Sequence, residues 1–209
     1  MMENDVTNVP IFFIEPTGSA RFSLRRYARR EDHPCPNGYH NAQTYLHDGP
    51  DEDRVIGDSH PHDDPRWPTK CEHCDYEFED ADNWQLFSRA IYRRHDDHES
   101  QFTLYDAPVG AVWNAYWMAD SRDEGFFVGP DGRCLMVMLP DRHEWCIDSR
   151  ARNCTMPDDN THKCWVRHGK PEDGSLHVDK NGHTCAAGAG SIGTDNYHGF
   201  LHHGHLTAC

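Results

Sequence analysis

Oily residues are scarce in this chain: only 36% of its 209 positions are hydrophobic, and the mean hydropathy is −0.88. Apolar packing alone is thereby excluded as the sole stabiliser, and loops held by some further device are expected. No run approaches the roughly 18 apolar residues of a membrane-spanning helix, which excludes such a span. Ile11-Phe12-Phe13-Ile14 is cut short by Glu15-Pro16, too soon for the apolar region of a secretory leader. The expected setting is a cytosol, or a particle assembled in one.

Positive charge is scarce too. Against 35 acidic residues stand 20 Lys and Arg, a formal net charge of −15. Such a field repels a phosphate backbone and an anionic membrane surface, so nucleic acid and membrane are not expected partners. A protein partner with a basic surface is. Arg25, Arg26, Arg29 and Arg30 form a local exception, read as a solvated strand edge or loop rather than a phosphate site.

Turn-forming residues are plentiful, with 16 Gly and 13 Pro, and the fold expected is β-rich α+β. It has short antiparallel strands and hairpins, one or two helices, and a zinc-stabilised N-terminal loop region. Pro10 to Ile14 and the alternation of Phe22, Leu24 and Arg26 predict strands, with a turn at Pro16-Thr17-Gly18. Asp80–Arg94 predicts a helix, since Trp84, Phe87 and Ile91 recur at helical spacing. A second helix is expected from Asp106 as cap through Val109, Val112, Trp113 and Tyr116. Later segments predict strands and hairpins: Cys134–Leu139 before Trp145–Ile147, Cys164–Val166 with Leu176–Val178, and Tyr197–Leu201 with His205–Thr207. The expected division is 1–105, a zinc-knuckle region with helix 80–94, and 106–209, a β-rich region, unless the two run together as one domain.

Nine cysteines in a reducing compartment read as metal ligands or core thiols rather than disulfides. Cys71-Glu72-His73-Cys74 is a CxxC knuckle, which lets two thiolates share one metal from a tight turn. Cys35-Pro36-Asn37-Gly38-Tyr39-His40 supplies the complementary half, with Gly38 allowing the bend. Thirty residues separate His40 from Cys71. Cys35, His40, Cys71 and Cys74 are therefore the predicted ligands of a Zn2+ ion. The metal would tie down Glu31–Lys70, a stretch too polar to organise a core. His33 and His73 compete as ligands but read as loop imidazoles.

A weaker second set is Cys154, His162, Cys164 and Cys185, in which the H-x-C pair would present both side chains on one strand face. Cys134 and Cys146 read as core thiols. His198, His202, His203 and His205 could gather imidazoles on one face of a hairpin, although a solvated tip is the plainer reading. His60-Pro61-His62-Asp63-Asp64 departs from the metallo-β-lactamase motif and reads as an acidic turn. The Gly-rich Ala186–Ser191 lacks the Lys-Ser/Thr ending of a P-loop.

Asp64-Pro65-Arg66-Trp67-Pro68, Cys71–Phe78, Gly129–Leu135, Ile147–Ala151 and Cys164–Gly169 through Gly188 resemble uncharacterised proteins encoded by bacteriophages and prophages that carry a CxxC zinc knuckle. Where many members have Gly after the second Cys, this chain has Asp75. The resemblance implies a phage origin and a metal-dependent fold, and no activity. The function expected is that of a non-enzymatic zinc-binding structural or protein-interaction protein, a virion component or accessory factor. The alternative is a metal- or thiol-dependent hydrolase using the C-terminal Cys/His cluster.

Overall fold

The computed structural model describes residues 8–50, 64–120, 128–129, 131–148, 166–179 and 190–209. These residues are β-rich, in mainly antiparallel sheets with a single short α-helix. In chain order the elements are β1 (Asn8–Pro10), β2 (Phe12–Ala28), β3 (His40–Pro50), β4 (Asn83–Arg94) and β5 (Gln101–Thr103). A 3-10 turn at Leu104–Asp106 precedes β6 (Ala111–Asn114), α1 (Tyr116–Asp120), β7 (Leu135–Met138) and β8 (Glu144–Cys146). The last strands are β9 (Val166–His168), β10 (His177–Asp179), β11 (Ser191–Gly193), β12 (His198–His202) and β13 (His205–Ala208). They fall into two compact units. One takes the described residues of Met1–Glu15, Arg93–Gln101 and Asp106–Cys209, the other Pro16–Tyr92 and Phe102–Tyr105.

In the first unit, β1, β13, β12 and β11 form an antiparallel sheet in that order, and β9 pairs β10. β6, β7 and β8 follow one another antiparallel, and Phe12 and Phe13 lie parallel to Ala111 and Val112. These strands enclose one core, in which Val112, Leu135, Val137, Leu139, Ile147, Leu176, Val178, Leu201 and Leu206 are fully buried. Each such side chain stabilises the fold by about 1.5–3 kcal/mol relative to exposure. The strand pairs predicted for Cys134–Leu139 with Trp145–Ile147 and for Tyr197–Leu201 with His205–Thr207 form. Of the pair predicted for Cys164–Val166 with Leu176–Val178, Cys164 and Trp165 lie outside the described residues, and β9 pairs β10 from Val166 onward. Cys134 and Cys146 are free thiols with sulfurs 3.8 Å apart.

The helix expected after Asp106 is instead the 3-10 turn, β6 and the five-residue α1. Gly110 explains the difference: its φ is +89°, and a Cβ there would run into the backbone oxygen of Pro10. A left-handed residue cannot continue an α-helix.

In the second unit, β2 carries β3 along a ladder running from Ser19 opposite Pro50 to Ala28 opposite His40. The register shifts between Phe22 and Ser23, which face His47 and Tyr45 and leave Leu46 as the extra residue on β3. This is the signature of a β-bulge. The turn expected at Pro16–Gly18 is absent, and β2 runs straight through it. The segment predicted as helix 80–94 is β4 over most of its length, and it pairs β2. Its aromatic and branched residues Trp84, Phe87, Ile91 and Tyr92 suit a strand as well as a helix. β2 supplied the open edge that decided between them.

Glu31–Lys70 was expected to hang on the metal alone. Its described part is also organised by the β2–β3 ladder.

Two arginines of the basic patch, Arg26 and Arg30, depart from the expected solvated edge, while Arg29 is exposed. Arg26 is 3% exposed, donates to the carbonyl oxygens of Pro68 and Glu79, and sits over the rings of Trp67 and Phe78. Arg30 donates to the Tyr76 hydroxyl and to the carboxylates of Glu79 and Asp82.

Candidate metal centre

Two short segments of the second unit converge on one point. In the first, the Gly38 amide donates to the Cys35 carbonyl at 2.9 Å, closing a turn with Pro36 and Asn37 at its centre. Pro36 pre-sets the backbone for that turn. Gly38 follows at φ +82°, a conformation that costs an L-residue about 1–2 kcal/mol. The reversal carries the chain from Cys35 into β3, whose first residue is His40.

The second segment is a small hairpin. The Cys71 amide donates to the Tyr76 carbonyl and the Phe78 amide to that of Thr69, while Lys70 bridges Glu77. Cys71 and Cys74 lie in its tip. The Glu72 amide donates to the Asn41 carbonyl at 2.9 Å, and the Asn41 amide to the Cys71 sulfur at 3.4 Å. These bonds fasten the hairpin tip to the start of β3.

Cys35, His40, Cys71 and Cys74, the predicted set, come together with their ligand atoms all within 4.8 Å of one another. His40 is fully buried, and Cys35 and Cys71 nearly so. The His40 Nε2 lies 2.7 Å from the His33 carbonyl oxygen and Nδ1 3.3 Å from the Cys74 sulfur. A carbonyl can only accept, so Nε2 carries the proton and the Nδ1 lone pair faces the thiols. A metal-ligating histidine is oriented in this way, with its second nitrogen donating to an oxygen. The ring also stacks on Tyr76, centroids 3.9 Å apart. Behind it the Tyr76 hydroxyl donates to Asp82 at 2.8 Å, whose carboxylate also binds Arg30 and the Glu79 amide.

The thiols are primed unequally. Burial alone would push Cys71 up, but the Asn41 and His73 amides, helped by His40 and Cys74, bring it down to about 6. The Tyr76 amide favours a Cys74 thiolate, yet burial and the crowding of Cys71 and Cys35 outweigh it and hold that thiol above its ordinary range. A cation among the sulfurs would turn this mutual repulsion into shared attraction. Three thiols and one imidazole, closely gathered and mostly buried, fit a metal ion, and this cluster can hold one.

The competing imidazoles fall at the rim. His33 gives its backbone oxygen to His40 and pairs through Nε2 with Asp75 at 3.2 Å. His73 contributes its amide to the Cys71 sulfur. Asp75 has no positive φ, so the position that is Gly in the resembling proteins needs no glycine here.

The second predicted set, Cys154, His162, Cys164 and Cys185, lies outside the described residues, as do His60–Asp63 and Ala186–Ala189. Of the hairpin histidines named from the sequence, His202 and His203 gather with a residue that sequence reasoning missed, His177 in β10. The paired histidines before Gly204 were the available signal, but nothing local points to His177.

No protein-family model, no curated protein and no solved structure matches the chain.

Proposed function

We propose that this is a zinc-binding structural or protein-interaction protein without catalytic activity of its own. We place its origin in a bacteriophage or prophage, where it serves as a virion component or an accessory factor in the host cytoplasm. One observation carries the reading: four ligands, Cys35, His40, Cys71 and Cys74, are gathered with their ligand atoms within 4.8 Å of one another, the full count that a tetrahedral zinc shell takes. Zinc in such a sulfur-rich shell stabilises structure, whereas a catalytic zinc keeps one position for water. The origin rests on the resemblance of the knuckle and the segments after it to phage-encoded proteins.

The interaction half of the reading draws on β2 and β3. Tyr39 and Tyr45 are 41% and 53% exposed. The Arg25 guanidinium lies over the Tyr39 ring and that of Arg21 over Tyr45. Tyr and Arg are enriched at the centres of protein interfaces. With a net charge of −15 around it, this surface suits a protein with basic groups at the rim of its contact.

Metal analysis of protein purified without a histidine tag tests the first half. Zinc should survive dialysis against a weak chelator and disappear in the Cys71→Ser/Cys74→Ser variant. Mass spectrometry of purified virions and of infected-cell lysate then separates component from accessory factor. Zinc-dependent turnover of ester, phosphoester or peptide substrates, abolished by that same variant, would overturn the non-enzymatic reading.

A further inference from the structure

His177, His202 and His203 present imidazole nitrogens that all lie within 4.8 Å of one another. Their ring centroids are 4.6 Å apart for His177 and His202, 4.9 Å for His177 and His203, and 4.2 Å for His202 and His203. His177 is 1% exposed, while His202 and His203 are exposed. The group therefore has one buried ring as its floor and two at the surface.

The backbone holds this grouping in place. His202 pairs with His205 across the hairpin, and the two residues between them have positive φ, 44° at His203 and 76° at Gly204. That is a two-residue turn of the kind matching the strand twist. A non-glycine residue in the left-handed region is uncommon and carries strain, which often marks a functional position. The Gly204 amide donates to the Leu176 carbonyl and its carbonyl accepts from the Ile11 amide, each at 2.8 Å. A Cβ on Gly204 would strike the backbone oxygen of Gly174. The tip is thus pressed against the segment leading into β10, and the bond to Leu176 sets it beside His177.

We propose that His177, His202 and His203 form a second metal site, in which these three imidazoles are the protein ligands among the described residues and an exchangeable ligand takes the fourth position on the solvent side, for a borderline divalent ion such as Zn2+ or Co2+. Imidazole is a ligand these ions favour. Metal–nitrogen bonds of about 2.1 Å in a tetrahedral shell bring the nitrogens to about 3.4 Å, which small ring rotations reach from the observed spacing. The two sites differ in kind. The Cys35/His40/Cys71/Cys74 shell is closed by protein, whereas the histidine site binds an exchangeable fourth ligand, water or a small anion. It shares no residue with the first site and does not depend on it.

Cobalt titration of tag-free protein, first dialysed against a weak chelator so that zinc is kept at the cysteine cluster and stripped from the histidines, tests this. The expected result is one Co2+ bound per chain, with visible d–d absorption, no thiolate-to-cobalt charge-transfer band, and a shift of the d–d band on adding azide. His202→Ala and His203→Ala, both surface changes, should each weaken uptake at least tenfold, and His198→Ala and His205→Ala should leave it unchanged. The same cobalt signal should persist in the Cys71→Ser/Cys74→Ser variant, so failure of the first site is read separately. Absence of uptake, a sulfur charge-transfer band on the cobalt taken up, or uptake indifferent to His202→Ala and His203→Ala would overturn the site. A d–d band insensitive to azide would overturn its open position.

Discussion

The Nε2 of His40 donates to the carbonyl oxygen of His33 across 2.7 Å, and this one bond settles which nitrogen of the buried ring faces the three thiols. Six residues separate the partners, and the turn closed by the Gly38 amide lies between them. The ligand is oriented by its own loop before any ion arrives. Pre-organisation of this kind lowers the ordering cost of binding.

Replacing both Cys71 and Cys74 by Ser should abolish zinc binding at this cluster and loosen the loops on either side. Structural zinc supplies on the order of 10 kcal/mol of folding free energy in small domains. Here the β2–β3 ladder carries part of the load, so the expected loss is smaller, several kcal/mol. Limited proteolysis should then cut within residues 29–39 and 64–79 while β2 stays protected. Wild-type metal content together with wild-type protease resistance in the double variant would remove the metal centre from consideration.

Gly38→Ala isolates the backbone contribution to the same site. A Cβ at Gly38 would meet no atom within 4 Å, so sterics with neighbours cost nothing and only the φ of +82° is penalised. A loss of about 1–2 kcal/mol is expected in urea unfolding of the metal-loaded protein. Gly38→Asn should lose less, since Asn tolerates the left-handed region better. Equal stabilities for Gly, Asn and Ala would mean that the turn does not hold this geometry in solution.

The four-ligand cluster was legible in the sequence because its signals are local: a CxxC, a C-x4-H and a glycine between the last two. The strands after Cys134 were legible for a similar reason, each being a short apolar run beside a turn signal. β4 was not. Trp84, Phe87 and Ile91 satisfy a helical period, while Trp84, Leu86 and Tyr92 sit at even spacings that satisfy a strand. The choice lay with β2, 17 residues long, whose unpaired edge no local pattern reveals. Gly110 misled in the same way, since the carbonyl of Pro10 that excludes a side chain there is a hundred residues distant in sequence. His177 joined its cluster through tertiary placement, the Gly204 amide bonding the Leu176 carbonyl beside it.

Arg26 offers a test of how far a charge in the second unit has become structural. It bonds two backbone carbonyls and lies between rings whose centroids are 5.2 Å (Trp67) and 5.0 Å (Phe78) from its guanidinium carbon. A lysine ammonium cannot span both carbonyls while stacking flat on the rings. Arg26→Lys is expected to cost about 2–3 kcal/mol, the sum of one charged hydrogen bond to a buried carbonyl and part of the cation–π attraction. A change under about 0.5 kcal/mol in thermal or urea unfolding, the usual range for a surface substitution, would return Arg26 to the solvated edge expected of it.

The ion cluster of the first unit should write itself into the acid limb of the stability curve through Asp131. Its carboxylate accepts from Arg167 at 2.6 Å and Arg133 at 2.7 Å. Burial works against the charge, but the two guanidiniums and the Arg133 amide outweigh it and hold Asp131 well below the ordinary carboxylate range. A carboxylate depressed in the folded state adds stability that is fully present above the unfolded value, about 4, and is lost as pH falls toward the folded one. Because the side chain is 36% exposed, solvent screening limits the contribution to ~1 kcal/mol. In urea unfolding, wild type should therefore exceed Asp131→Asn by that amount at pH 6, with the gap narrowing steadily below pH ~4. Other acid-sensitive groups, the metal ligands included, are common to both proteins and cancel in the difference. A gap that stayed constant from about pH 6 to about pH 3, or widened on acidification, would show that the Arg133 and Arg167 contacts do not bind the charged form of Asp131 preferentially.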